Sequence, residues 1–321
     1  MSLETVVVLA AGEGTRMKSA TPKVLHSISG RTLLGHVLHA VDGLGAKNLR
    51  VVVGAGRELV EEHVATIAPH ATTVFQEHRG GTGHATQLAL AGITPTGTVL
   101  VLAGDTPMLT NESLAALLDV HHKGGFVASV MTAEHPDPTG YGRIIRGEDG
   151  SLLRIVEERD ASDNEKAIYE INSGVYAFDG AQLAGAIGKL KNDNSQGELY
   201  LTDVLEILRN DGGSIAAVLI EDFIEILGVN DRAQLAESAA LLRDLINDDL
   251  MKSGVTIVDP MNTWVDSTAS VASDVTLLPG TWIAGSTTVA TGAVIGPRTT
   301  LVDCTVAAGA QVIESHCTGA A

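Results

Sequence analysis

Aromatic side chains are scarce: four Phe, four Tyr and two Trp, 3% of 321 residues. The core must therefore be built from Val, Leu, Ile and Ala. Cysteine is rarer still, with only Cys304 and Cys317. Basic residues are few, 21 Lys plus Arg against 39 Asp plus Glu, a formal charge of −18. That balance excludes a nucleic-acid binder, which needs a basic footprint. It does not exclude a phosphate ligand, because a few local cations and one metal ion can hold phosphate inside an acidic protein. Long apolar runs are missing as well. Residues 5–11 and 98–103 are only strand-sized, and no partnership with a membrane is expected. No basic segment precedes an apolar stretch at the N-terminus, so no signal peptide is expected, and the two thiols are expected free in a reducing cytoplasm. What remains is ordinary for a folded protein, 45% hydrophobic and 19% charged, and the length favours two domains.

Residues 5–10 (TVVVLA) form a continuous apolar, β-branched run, which predicts a strand buried on both faces. A Gly-rich loop, 11–16, follows. Leu34, Val37, Leu38 and Val41 give 31–44 a helical spacing. Strands over 49–53, 72–75 and 98–102 alternate with helices over 59–67 and 84–91. Such alternation predicts an α/β fold, a mostly parallel sheet with helices on both faces. Ligands then bind beyond the C-terminal strand ends, where the chain switches direction. The loop 12–16 and Asp105 both fall at such ends. From 126 to 227 the pattern is mixed, with strand-like pieces at 128–131, 143–145, 174–178 and 216–220. A helix over 231–252 is predicted, with Asp231 as N-cap, a stripe of Leu235, Leu242, Ile246 and Leu250, and Gly254 as its stop.

The last segment has a different grammar. Every sixth residue from Val265 is Val265, Val271, Leu277, Ile283, Val289, Ile295, Leu301, Ala307 and Ile313, and eight of these nine are Val, Leu or Ile. The fifth position is mostly small: Ala269, Val275, Thr281, Thr287, Ala293, Thr299 and Thr305. This period predicts a parallel β-helix, with the aliphatic residue pointing inward and three hexads to a coil. Nine hexads make three coils, and the end at Gly319-Ala320-Ala321 reads as a truncated solenoid. Stacked residues are eighteen apart in such a coil. Cys304 and Cys317, thirteen apart, are therefore expected to stay small buried thiols. The expected domains are 1–228, a connector over 229–254, and the β-helix over 255–321.

The chemistry concentrates in Leu9-Ala10-Ala11-Gly12-Glu13-Gly14-Thr15-Arg16-Met17, followed by Pro22-Lys23. Two glycines after a buried strand let backbone N–H groups approach a triphosphate. Arg16 can fork onto phosphate oxygens, and Lys23 can place a point charge. A Walker A loop is absent, and a dinucleotide fingerprint fails at Met17.

These residues resemble the signature of the sugar-1-phosphate nucleotidyltransferases, and in particular the bacterial bifunctional N-acetylglucosamine-1-phosphate uridyltransferase/glucosamine-1-phosphate acetyltransferases. The resemblance recurs in order at Gln76, Gly81-Thr82-Gly83-His84-Ala85, Gly104-Asp105, Thr139-Gly140-Tyr141-Gly142-Arg143, Val156-Glu157, Ile171-Asn172-Ser173-Gly174, Gly197 to Asp203 and Gly228-Val229-Asn230. It implies a Rossmann-like nucleotidyltransferase domain followed by a short left-handed β-helix. It implies that Ala10, Ala11, Gly12 and Gly14 wrap the nucleotide, and that Gln76, Gly81 and Thr82 read the uracil. Asp105 and Asn230 would hold Mg²⁺. Gly104, Gly142, Glu157, Asn172, Tyr200 and Thr202 would line the sugar pocket, and Arg16 and Lys23 would be the catalytic cations. Ala103 stands where many relatives have Tyr. Plainer readings stand beside these: Asp105 as a turn former, Asn230 as a helix cap, Glu157 as an exposed strand carboxylate, Asn172 as a turn residue. Glu158, Arg159 and Asp160 are expected on the surface. His26, His84, His121 and His122 are expected in structural or surface roles, since none has a ligand spacing with a third donor.

The implied reaction joins UTP and N-acetylglucosamine 1-phosphate with release of pyrophosphate. The nucleophile is already an anion, so cations rather than a general base are needed. The resemblance also implies a homotrimer through the β-helix, weakened by truncation, and an acetyltransferase in the coils of the longer parent. Alternatives are another sugar 1-phosphate or NTP, and an inactive regulatory relative.

Overall fold

The apolar run near the N-terminus forms β1 (Leu3–Ala10), and the computed structural model, which describes residues 2–320, places it inside a nine-stranded sheet. Its residues alternate between two cores. Val6, Val8 and Ala10 enter one apolar cluster, while Val7 enters the other with Leu9 packed against it. Burial on both faces explains the unbroken Val-Val-Val-Leu run, each side chain contributing about 1.5–3 kcal/mol.

The chain continues through a small hairpin, β2 (Ser27–Ile28) and β3 (Arg31–Thr32), into α1 (Leu33–Val41), β4 (Asn48–Val53), α2 (Arg57–Ile67), β5 (Thr72–Phe75), α3 (Thr82–Leu90), β6 (Thr98–Ala103) and α4 (Asn111–Gly124). It then forms β7 (Ala128–Glu134), β8 (Arg143–Arg146), β9 (Leu152–Val156), α5 (Asp163–Lys166), β10 (Glu170–Asp179), α6 (Gly180–Ile187), α7 (Asp203–Asn210), β11 (Ile215–Leu219) and α8 (Arg232–Lys252). The predicted strands and helices of the first hundred residues are present. The helix expected over 31–44 begins later, because Arg31 and Thr32 pair in the hairpin.

The sheet order is β11-β7-β10-β6-β1-β4-β5, with the antiparallel β8–β9 hairpin attached to β10. All neighbours along this order are parallel except β10, which runs antiparallel between β6 and β7. The chain moves outward from β1 to β4 and β5, then returns to place β6 on the other side of β1. The switch point lies between the C-terminal ends of β1 and β6. Helices α1, α2 and α4 cover one face, and α3, α6 and α7 the other.

The chain divides into two units: residues up to Leu25 with Leu34–Gly228, and His26–Leu33 with the residues from Val229 onward. In the second unit α8 starts at Asp231, whose side chain accepts from the backbone N–H of Gln234, and Gly254 leaves it at φ 100°. Leu235 and Leu242 pack with Ile28, Leu33 and Val229. Ile246 and Leu250 pack on the β-helix core. The hairpin β2–β3 was not anticipated here. Its Ser29 carbonyl accepts from Ser267 N at 2.9 Å, and Arg31 donates to Ser267 Oγ at 2.6 Å.

Three stacks of short parallel strands then build a left-handed β-helix. Val265, Ile283 and Leu301 stack in one, with eighteen residues between successive members. The strict period fails in the last coil. Val289 pairs with Val306 rather than Ala307, Ile295 with Val312 rather than Ile313, and Leu301 with Cys317. One residue is missing from the turn after Leu301 and a second between Val312 and Cys317, so Val306 is buried, Ala307 is exposed, and Ile313 is 50% exposed. The small fifth position falls on Cys304 instead of Thr305: Cys304 is buried, and its N–H donates to Thr287 Oγ1 at 3.1 Å. Both cysteines are free. Among the described residues no helix is long and apolar enough to cross a membrane.

Candidate active site

The switch point between β1 and β6 opens into a cavity of about 420 Å³ within the first unit, inside the range of small-molecule sites. Leu9, Ala10, Ala11 and Gly12 form the β1 side, and Ala103 and Asp105 the β6 side. The two strand ends lie close. Gly104 N–H donates to Leu9 O at 2.9 Å, and a Cβ on Gly104 would stand 3.1 Å from that oxygen. Gly104 therefore shapes the wall without lining it.

Lys23 follows a turn at Pro22 and forms an ion pair with Asp105. Both side chains are largely buried, 12% and 17% exposed. Gly14 sits at φ 60°, and a Cβ there would meet Lys23 Cβ at 2.5 Å. Its role is to bring Lys23 up to the loop, and it does not line the cavity. Arg16 lies on the exposed 3₁₀ turn Thr15–Met17, anchored by buried Met17, and it too lies outside the lining. A second ion pair, Glu13 with Arg79, stands at the cavity wall; neither residue was singled out from the sequence.

At the next wall Gln76, only 6% exposed, leaves β5 with its N–H on Val53 O. Its Nε2 donates to Gly81 O at 3.1 Å and lies 3.2 Å from His84 Nδ1. Gly81 caps α3 at φ 92°, where a Cβ would stand 2.5 Å from Leu199 O. Thr82 Oγ1 accepts from Leu201 N–H at 3.0 Å, and Gly83 N–H donates to Leu199 O. The segments 80–83 and 199–201 thus hold each other.

The opposite end carries Asn172, Glu157, Thr202 and Tyr176. The pairing of β10 with β7 is interrupted between Asn172 and Tyr176, and Gly174 there has φ 77°. The motif Ile171-Asn172-Ser173-Gly174 is thus a bulge, a device that re-aims a side chain. The Asn172 amide and the Tyr176 hydroxyl bond each other at 2.7 and 3.0 Å, and Asn172 Oδ1 accepts from Gly174 N–H at 3.1 Å. Burial, then Glu157, raises the Tyr176 pKa. Burial also raises that of Glu157, against a hydrogen bond from Thr202 Oγ1 at 3.2 Å and with Asp203 and Asp160 adding to the rise. Gly142 flanks the pocket without lining it: a Cβ would sit 3.4 Å from Asn172 Cβ. Tyr200 is buried, its hydroxyl engaged by Gln196 and Asp160 rather than by the cavity. Glu158 is not a free surface carboxylate. It pairs at 2.8 Å with Arg143, which is 1% exposed. Glu198 also lines the cavity; the sequence places it within the Gly197 to Asp203 motif without giving it a role.

Asn230 belongs to the second unit, where its N–H donates to Gln234 Oε1 at 2.8 Å at the start of α8. Among the described residues no group of three or more His, Cys, Asp or Glu side chains could hold a metal alone. A lone buried-edge carboxylate such as Asp105 suits a hard cation that arrives with phosphate oxygens and keeps its waters, the habit of Mg²⁺. The histidines have structural partners: His121 Nδ1 is 3.0 Å from Ser129 Oγ, and His122 Nε2 is 2.8 Å from Thr98 Oγ1.

Comparison with known proteins agrees with this geometry. Residues 6–173, just over half the chain, match the model of the MobA-like NTP transferase domain. The chain is 54% identical over 278 residues to the bifunctional protein GlmU of Streptomyces coelicolor, covering 86% of this chain and 58% of that one. The GlmU of Thermobifida fusca is 50% identical over 279 residues, again 58% of its length. That of Mycolicibacterium gilvum is 46% identical over 324 residues, 99% of this chain and 65% of the relative. The chain thus spans about three-fifths of the length of these relatives. The family match begins in β1 and ends within the Asn172 bulge, a stretch that carries the β1, β6 and Gln76 walls of the cavity. The chain belongs to the MobA-like NTP transferase domain family.

Proposed function

We propose that this chain transfers a uridylyl group from UTP to N-acetylglucosamine 1-phosphate, and that residues 1–228 perform the transfer. The observation that carries the reading is the Lys23–Asp105 pair at the β1/β6 switch point, beside the Gly12–Gly14 loop and at one end of a closed-in cavity. The other end carries the hydrogen-bonding side chains of Asn172, Thr202 and Glu157, as a sugar requires.

A phosphate oxygen of the sugar phosphate attacks the α-phosphorus of UTP. The α–β bridging P–O bond breaks, and its electron pair leaves with pyrophosphate. No proton has to move at the nucleophile. Two polyanions must be brought together, so the leading contribution is electrostatic and positional. Lys23 supplies the fixed charge, Arg16 an outer one, and Ala11, Gly12 and Gly14 keep the loop backbone close to phosphate. Asp105 would hold Mg²⁺, which would supply charge neutralisation at the phosphates. Gln76 reads uracil, with Gly81 and Thr82 building the wall. Asn172, Glu157 and Thr202 take the sugar hydroxyls and acetamido group. Burial raises the Glu157 pKa, and its carboxyl already accepts from Thr202 Oγ1 at 3.2 Å, the kind of partner a sugar hydroxyl would be.

The test is pyrophosphate release from UTP with Mg²⁺ and N-acetylglucosamine 1-phosphate, compared with glucose and mannose 1-phosphates. The expected result is turnover strictly dependent on the metal and greatest with the acetamido sugar. Silence with every sugar phosphate would remove the enzyme reading in favour of a binding subunit.

A further inference from the structure

The Gln76 amide has two donors and one acceptor, and two neighbours fix how it faces. Gly81 O can only accept, so the amide nitrogen must point toward it, as it does at 3.1 Å. The second N–H is 3.2 Å from His84 Nδ1, which must then accept, placing the ring proton of a neutral imidazole on Nε2. Both donors are thereby spent inside the protein. Among the described residues no side chain or backbone group donates to Oε1, so the carbonyl is the group left for a ligand at this wall. Gln76 lines the cavity and is almost fully buried, so a free amide rotation there has little solvent to fall back on.

The placement of His84 is itself built. It lies one turn into α3, directly over Gly80, where a Cβ would stand 2.7 Å from Nδ1 and 2.8 Å from Cγ. Any larger residue at 80 displaces the ring from Gln76. Gly80 in turn is fixed by Leu199 N–H, which donates to its carbonyl at 2.7 Å.

We infer that His84 is a positioning residue for nucleobase choice: by holding both Gln76 donors inward together with Gly81, it presents a pure acceptor, which selects a base with an N–H at the recognition edge. Uracil offers N3–H there. Cytosine offers an unprotonated N3 and an exocyclic amine, so its ring nitrogen meets carbonyl against lone pair. The inference rests on the reading that Gln76 faces the base. It adds that discrimination depends on a residue which itself touches no ligand. Without His84 one Gln76 N–H is unpaired, and the amide gains reason to turn a donor toward the ligand. Uracil then loses ground and cytosine gains it.

The test compares UTP and CTP with wild type, His84→Ala, His84→Asn and Gly80→Ala. Binding is read by calorimetry with Mg²⁺, and turnover by pyrophosphate release. Asn carries an oxygen where the imidazole has Nδ1 and serves as the conservative rescue. The expected result is that His84→Ala and Gly80→Ala cut the UTP-over-CTP preference about tenfold or more, through Kd and KM, with kcat for UTP held within about threefold. His84→Asn restores most of the preference. An equal loss for both nucleotides, with the preference unchanged, would reduce His84 to a structural role and overturn the inference. So would failure of His84→Asn to do better than His84→Ala. Because the preference is also measured as binding, a wild type that prefers UTP but turns over no sugar phosphate would refute the transferase reading alone. A wild type that binds both bases equally would refute this inference alone.

Discussion

Lys23 and Asp105 are 82 positions apart and meet as a largely buried ion pair. Each neutralises the other, so removing one strands the other at low exposure, at a cost of about 3–5 kcal/mol for buried pairs. The proposed reaction would use them separately, Lys23 at the phosphates and Asp105 at the metal. Lys23→Ala is expected to lower kcat by roughly 10²-fold or more with a smaller effect on KM, the pattern of a lost transition-state contact. Arg16→Ala, which touches an exposed turn, is expected to raise KM for UTP as well. Steady-state kinetics at saturating Mg²⁺ decide: a Lys23→Ala enzyme altered only in KM would remove Lys23 from the reacting phosphates. Both members of the pair are legible in the sequence, Asp105 because it follows the end of β6 beside Gly104, and Lys23 because the Pro22-Lys23 pair follows the Gly12–Gly14 loop. Arg79 is not, and Glu198 is legible only as a member of its motif, because their place in the cavity depends on how the loops around 79 and 198 come back over the sheet. The Asn172–Tyr176 bond was half legible. A Gly inside a strand-like run signals a bulge, but the partner four residues on becomes clear only once the register shift is seen.

At the scale of elements, helices and strands were legible where one periodicity governs, as in β1 and α8. They were misread where a turn alters the count. The hexad slip after Leu301 follows from a turn one residue shorter, and Val302 and Val306 are both aliphatic, so the sequence pattern tolerates either register. Element packing also sets a pH limit on the first unit. α4 lies on β7 through His121, 2% exposed and bonded to Ser129. Burial, and then the neighbouring His122, lowers its pKa from 6.5 to about 4, while Asp179 opposes the shift. A neutral His in the fold that protonates freely when unfolded contributes stability that is present above 6.5 and is lost as pH falls through about 4. At 1.36 kcal/mol per pKa unit the effect is up to about 3 kcal/mol. His121→Asn keeps a hydrogen-bonding group near Nδ1 but does not titrate. It is expected to be less stable than wild type at pH 7.5, with the gap in urea midpoint shrinking steadily toward pH 4. A gap constant across that window would mean that His121 is not the group protonating.

At the scale of the whole molecule, the two tryptophans allow the units to be watched separately. Trp264 and Trp282 both lie in the β-helix, on strands that pair with each other, so their fluorescence reports the second unit. The far-ultraviolet helical signal comes mainly from α1 to α7 of the first. The cavity belongs to the first unit, so a nucleotide binding only there should stabilise only there. At 100 times its Kd, UTP with Mg²⁺ contributes about 2.7 kcal/mol, a shift of roughly 5–10 °C for a unit of this size. The helical transition should therefore rise by that amount when UTP and Mg²⁺ are added, while the tryptophan transition stays where it was. UTP with EDTA should lose most of the rise, and Asp105→Ala, which removes the proposed metal ligand, should behave like UTP with EDTA. A helical transition indifferent to UTP and Mg²⁺ would strike the cavity of the first unit as the nucleotide site, and an undiminished rise with Asp105→Ala would strike Asp105 as the metal ligand.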